Sequence, residues 1–135
     1  MLSDHRNAPL RFHQLWLVIG WSIVFLVIYL SLNSGGMQVV SGMFNDKMSH
    51  ALGYCGLMLW FAQLYKSLGQ RLLLAVLFVV MGIVLEFLQR MGGVRVFEIA
   101  DMMANATGIL IGWLAARLGL DRLLAWFEVR VLARQ

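Results

Sequence analysis

The stretch LLLAVLFVVMGIVLEFLQRMGGVRVFEIADMMANATGILIGWLAA, Leu72 to Ala116, joins two apolar runs through a short segment rich in polar groups. No charged residue lies from Leu72 to Leu85 or from Met102 to Ala116. Between them stand Glu86, Gln89, Arg90, Arg95, Glu98 and Asp101, with Asn105 just beyond. An apolar run spans a hydrocarbon core as a helix when it reaches about 20 residues, or ~17 at the short end. The stretch therefore predicts two membrane-crossing helices, 72–89 and 99–116, joined by a short polar connection.

Composition extends this reading to the whole chain. Only 13% of the 135 residues are charged and 61% are hydrophobic, and the mean hydropathy is +0.77. A soluble domain carries about 25% charged residues, because its surface must be solvated. Two further apolar segments, 15–32 and 48–65, complete four predicted spans. The first is longer than the apolar part of a cleaved signal, about 7–15 residues, and reads as an uncleaved span. Cys55 stands alone, so no internal disulfide forms. The expectation is an all-α integral membrane four-helix bundle, one domain over 1–135.

Basic residues set the orientation. Arg6, Arg11, Lys66, Arg71, Arg117, Arg122, Arg130 and Arg134 fall on one side of a four-span arrangement, and Lys47, Arg90 and Arg95 on the other. The richer side marks the cytoplasm, placing both termini inside. The net charge of +4 is then a topology signal, and no nucleic-acid partner is expected. In the tail, 118–135, Leu120, Leu123, Leu124, Phe127 and Val131 recur at helical spacing. They predict an amphipathic helix on the inner leaflet. Trp16, Trp21, Trp60 and Trp113 read as belt and packing residues.

With this topology the polar residues of three spans meet at the extracytoplasmic end. Asp46, His50 and Tyr54 share one helix face, and Lys47 adjoins them. Glu86 and Gln89 lie one turn apart near the end of the third span. Asp101 and Asn105 top a column of small residues on the fourth, Ala104, Gly108, Gly112 and Ala116. The Gly108-x-x-x-Gly112 spacing suits close helix packing in membranes. Carboxylates within a span are costly unless paired, hydrated or protonated, so the set predicts a wetted pocket with Arg95, Lys47 and His50 as its cations. Each residue also has a plainer reading: Asn105 bridging helices, Asp101 capping a helix start, His50 as an interfacial imidazole.

These residues resemble the signatures of the VanZ-like membrane protein family. DKMSHALGY looks like its D-K-x-x-H-x-x-x-Y motif, and EFLQ followed by RVFEIADMMANATG looks like its E-x-x-Q and R-S-x-D-x-x-D-x-x-x-N-x-x-G motifs. The resemblance runs from Asp46 to about Gly112. Val96 stands where that family usually has Ser, and Glu98 where it usually has Asp. The resemblance implies a multi-pass protein of the bacterial plasma membrane, of a kind whose namesake accompanies resistance to teicoplanin.

Two functions follow as expectations. In the first, Arg95, Lys47 and His50 bind an anionic lipid or lipid-linked envelope-precursor headgroup. Asp46, Tyr54, Glu86, Gln89, Glu98, Asp101 and Asn105 would orient it and accept bonds from sugar or amine groups. In the second, His50 with Asp46, Glu86 or Asp101 is the acid–base set of a headgroup hydrolase or transferase, and the same residues are also of a type to hold a hard metal. No zinc-type cysteine–histidine spacing, phosphate-cradling loop or nucleophile elbow is present. The expectation is accordingly no metal and no cofactor, with a homo-oligomer compatible with either function.

Overall fold

The computed structural model describes residues 9–33, 45–93, 96 and 98–131. The described residues are helical throughout, with no strand: α1 His13–Leu32, α2 Asp46–Leu64, α3 Leu68–Met91, α4 Ile99–Arg117 and α5 Leu123–Arg130. A single 3₁₀ turn, Leu120–Arg122, joins the last two. The helix limits lie within a few residues of the four predicted runs. Arg95 and Arg134, together with the connection between α1 and α2, lie outside the described residues.

Three of these helices, α1, α3 and α4, are long and apolar enough to cross a membrane. Their outer faces expose Phe25, Val76, Leu77 and Leu110. Helix α2, the expected second span, is more polar than these three, and the reason lies in its position. It packs against α1, α3 and α4, so its polar residues meet other helices. Leu57, Met58, Phe61 and Ala62 of α2 form the centre of the core. Phe61 packs edge-on against Phe78 of α3 and Trp21 of α1, each with ring centroids 5.6 Å apart.

The α2–α4 interface is the most extensive in the fold. Its closeness follows from the small-residue column. A Cβ at Gly108 would stand on the Ala51 carbonyl oxygen, and one at Gly112 would lie 2.5 Å from the Cys55 carbonyl oxygen. The two glycines, four residues apart, thus fit against two α2 carbonyls also four residues apart. Small residues at this spacing allow such close helix packing.

The helix ends near the chain reversals are held by side chains from other elements. The Arg71 guanidinium donates to the carbonyls of Ala62 (2.8 Å) and Tyr65 (3.0 Å), satisfying the exposed end of α2, and to Asp121 Oδ2 at 2.6 Å. Gln63 Oε1 accepts from the Leu124 N–H at 2.8 Å. The start of α1 has no cap of its own. Instead Glu128 accepts from the N–H groups of Arg11 (2.7 Å) and Phe12 (3.0 Å), and from the Trp16 indole. Such carboxylate capping satisfies orphan helix donors and favours negative charge there. The chain reverses after α4 through Gly119, whose φ of 110° is a left-handed conformation natural to glycine.

In the tail the expected stripe is mostly outward-facing. Of that stripe only Leu124 is buried, and the second buried position of α5 is the acidic Glu128. Leu120, Leu123, Phe127 and Val131 remain exposed. The helix docks through the Glu128 carboxylate, which meets the Arg11 and Phe12 N–H groups at the entry to α1.

Candidate functional site

The start of α2, the end of α3 and the start of α4 meet at one end of the fold, and most of the predicted site residues meet there. Helix α2 opens with Asn45, whose side chain accepts from the Lys47 N–H at 3.0 Å. That cap fixes the first turn, which presents Asp46, Lys47 and His50. Lys47 Nζ donates to Glu98 Oε2 and Asp101 Oδ1, binding α2 to the first turn of α4. Asp46 Oδ2 lies 4.0 Å from the same ammonium.

One turn deeper, His50 Nδ1 lies 3.0 Å from Asn105 Oδ1, and His50 Nε2 lies 4.0 Å from Asp101 Oδ2. Asp101 is fully buried. Asn105 and Tyr54 both sit against Gly82 of α3: a Cβ there would lie 2.9 Å from Asn105 Nδ2 and 3.2 Å from the Tyr54 hydroxyl. Gly82 therefore gives two polar side chains room inside the helix interface. The three helices contribute to a single layer of polar groups.

Glu86 and Gln89 are buried beside this layer but have a holding role. Glu86 Oε1 accepts from the Glu98 N–H at 2.9 Å, at the N-terminus of α4. Gln89 Nε2 donates to the Ser31 carbonyl at 2.7 Å, at the C-terminus of α1. Both satisfy backbone groups that a helix end leaves without an intrahelical partner. The predicted set thus divides into two groups. Asp46, Lys47, His50, Glu98, Asp101 and Asn105 form the connected cluster, with Tyr54 beneath, while Glu86 and Gln89 fix the helix ends around it. Arg95, the expected principal cation, lies outside the described residues.

Two clefts flank the layer. One, of about 160 Å³, runs between α1 and α2 and is lined by Val27, Leu30, Ser31, His50, Gly53 and Tyr54, among others. The other, of about 220 Å³, lies between α3 and α4 beside Gly82, Met102 and Asn105. Both are mainly apolar, yet each touches a polar residue of the cluster. Their adjacency was not readable from sequence, because the spacing of residues along a helix gives no interhelical gaps.

A second polar group lies at the opposite end and was missed in the sequence. Lys66 and Arg71, read as topology charges, both pair with Asp121. Burial pushes the Lys66 ammonium below its ordinary pKa, with Asp121 opposing that shift. At Glu128, burial opposes the charged form, but the Trp16 indole and the Phe12 and Arg11 N–H groups outweigh it. They hold its carboxyl below the ordinary value. A Ser-x-x-Gln capping box at Ser67 and Gln70 was the one local signal of ordered structure there.

Asp46, His50 and Asp101 each present a donor atom, and these atoms all lie within 4.8 Å of one another. The arrangement can orient a headgroup, exchange protons through an imidazole beside a carboxylate, or collect a cation. The chain matches no protein-family model, no curated protein and no solved structure.

Proposed function

We propose that this chain is a four-span membrane protein, with both termini cytoplasmic, that binds a lipid. The lipid headgroup meets the Lys47–His50–Asp101 cluster and its hydrocarbon chain enters the cleft between α1 and α2. One observation carries this reading: His50 and Tyr54 belong to the polar layer and also line a mainly apolar cleft. An amphipathic ligand matches that juxtaposition, since small-molecule sites are largely apolar with a few placed polar groups. Helix α2 serves as the fourth span, its polar residues turned to its neighbours. The short α5 lies at the inner surface with Leu123 and Trp126 towards the lipid.

Phosphate of an anionic headgroup pairs with Lys47, and the carboxylates accept from hydroxyl or amine groups of the same ligand. The motif resemblance to the VanZ-like family supports a bacterial plasma-membrane setting and a lipid-linked envelope precursor as ligand. It also motivates a test of teicoplanin susceptibility in cells with and without the chain.

Lipids retained through purification in mild detergent test the proposal by mass spectrometry. Gly53→Leu fills the cleft, and a Cβ at Gly53 meets nothing within 4 Å, so the fold should survive. A discrete lipid class bound to the wild type and lost from Gly53→Leu and Lys47→Gln supports the reading. Equal lipid content in all three overturns it.

A second reading, headgroup hydrolysis or transfer, is favoured by the imidazole of His50 lying between Asn105 and Asp101. Release of a free headgroup by wild type and not by His50→Gln distinguishes it from binding alone.

A further inference from the structure

We propose that the outward face of α5 and of the turn before it is a docking surface for anionic phospholipid, with Arg117, Arg122 and Arg130 meeting the headgroups. The proposal rests on the membrane-spanning reading above. It does not rest on the Lys47–His50–Asp101 cluster, which lies at the other end of the fold.

The first support is the sorting of charge. Residues 117–131 hold three arginines and two acids, Asp121 and Glu128, so the sequence shows an excess of a single charge. The fold separates the two signs. Asp121, with a side chain only 16% exposed, is held between the Arg71 guanidinium at 2.6 Å and the Lys66 ammonium at 3.6 Å. Glu128 is buried against the entry to α1, where it accepts from the Arg11 and Phe12 N–H groups and the Trp16 indole. Both acids are committed inside the fold. The arginines stay outside: Arg117 and Arg130 are exposed, and the Arg122 side chain is 55% exposed, 3.9 Å from the nearest Asp121 oxygen. Among residues 117–131 the outward face therefore presents cations and no exposed acid.

The second support is what stands between the arginines. Leu118, Leu123, Trp126 and Val129 are all exposed, Leu118 at 87% and Trp126 at 57%. Apolar side chains beside arginines suit a helix lying on an anionic membrane surface, and tryptophan favours the headgroup level. The surface begins where α4, one of the three apolar helices, ends at Arg117, which puts it at the boundary of the hydrocarbon core. Charge complementarity selects the occupant. Each basic residue near anionic lipid raises affinity about fivefold. A second copy docking through the same face would set arginine against arginine, and such like-charge contact is penalised.

The test is native mass spectrometry of the full chain in mild detergent, with equal amounts of dioleoyl phosphatidylglycerol and dioleoyl phosphatidylcholine added. The two lipids share their acyl chains, so a difference in retention reads the headgroup charge. The expected result is a preference for phosphatidylglycerol that falls about fivefold in Arg122→Gln and in Arg130→Gln. It should fall further when the two are combined, and fade at high salt. Arg130→Lys should keep it, because attraction to a charged surface needs the charge and not the guanidinium fork. The arginine-dependent preference should persist in Lys47→Gln. If the combined variant does not fold, the single variants decide. Equal retention of the two lipids by wild type overturns the surface, and so does a preference that survives in the arginine variants. A preference lost with Lys47→Gln alone also overturns it, while supporting the lipid site at the other end. An acidic protein held by wild type and lost from the arginine variants, without any lipid preference, overturns it in favour of a protein partner.

Discussion

Glu128 accepts a hydrogen bond from the Trp16 indole nitrogen at 2.6 Å, across 112 residues of chain. The same carboxylate accepts from the Arg11 and Phe12 N–H groups just before α1, so α5 holds the chain where it enters the first helix. Because its folded pKa lies below the ordinary value of 4.5, its contribution is present above that pH. It is lost as pH falls through the lower folded value. Wild type should therefore lose thermal stability on acidification below about pH 4.5, the ordinary carboxyl value. Glu128→Gln should be less stable at neutral pH by about 1–3 kcal/mol and show a flatter acid response. Identical melting-versus-pH curves would contradict this.

Gly112→Ala and Gly56→Ala should move stability in opposite directions. A Cβ at Gly112 meets the Cys55 carbonyl, whereas one at Gly56 meets nothing within 4 Å. The first should cost about 1–3 kcal/mol by overpacking, and the second should stabilise by about 0.5–1 kcal/mol through helix propensity. Thermal unfolding in detergent measures both, and an equal response at the two positions would place α4 elsewhere.

Lys47 and Asp101 should couple. Removing the ammonium leaves a buried carboxylate less compensated, although the partial exposure of Lys47 lets water offset some of the loss. In a cycle of Lys47→Gln and Asp101→Asn, the double variant should be more stable than the sum of single losses predicts, by about 0.5–3 kcal/mol. Strict additivity would show that the pair does not interact.

Arg71→Lys should fail to replace arginine. The guanidinium meets two α2 carbonyls and Asp121 at once, which the single nitrogen of lysine does not reproduce. A loss of about 1–3 kcal/mol, as for buried hydrogen-bonding groups left unsatisfied, is expected from denaturation curves. Wild-type stability would make this contact dispensable.

Orientation is tested by accessibility in a Cys55→Ala background. Met91→Cys should react with a membrane-impermeant thiol reagent on intact cells, and Ser67→Cys should react only after lysis. The reverse pattern would turn the polar layer towards the cytoplasm.

The helices, and the shared faces of Asp46 with His50 on α2 and of Asp101 with Asn105 on α4, were legible because both follow from short-range spacing. Apolar runs give the helix lengths, i to i+4 steps give the shared faces, and the small residues of α4 identify its packing side. The role of Glu128 was not legible, since its partners lie more than a hundred residues away and a lone acid in a tail reads as solvated. Arg71 was hidden for a related reason: a basic residue between spans is usually a topology marker, and its carbonyl partners carry no side-chain signal. The contacts of Glu86 and Gln89 with helix ends were also not readable from the sequence. Whether a polar side chain reaches a ligand or a helix end depends on interhelical distances that periodicity does not contain.

The spacing of the two polar layers has an electrical consequence. From the level of His50, Glu86 and Asp101 to that of Arg71 and Asp121, α1 to α4 carry no Asp, Glu, Lys, Arg or His side chain. Across a bilayer, moving one elementary charge through the full potential changes its energy by about 2.3 kcal/mol per 100 mV. In the proposed four-span arrangement, such a passage would meet no Asp, Glu, Lys, Arg or His side chain between these two levels of α1 to α4. On that arrangement, a charge taken up at the Lys47 end should answer to the chemistry of the face it lies on, and its uptake should change little with membrane voltage.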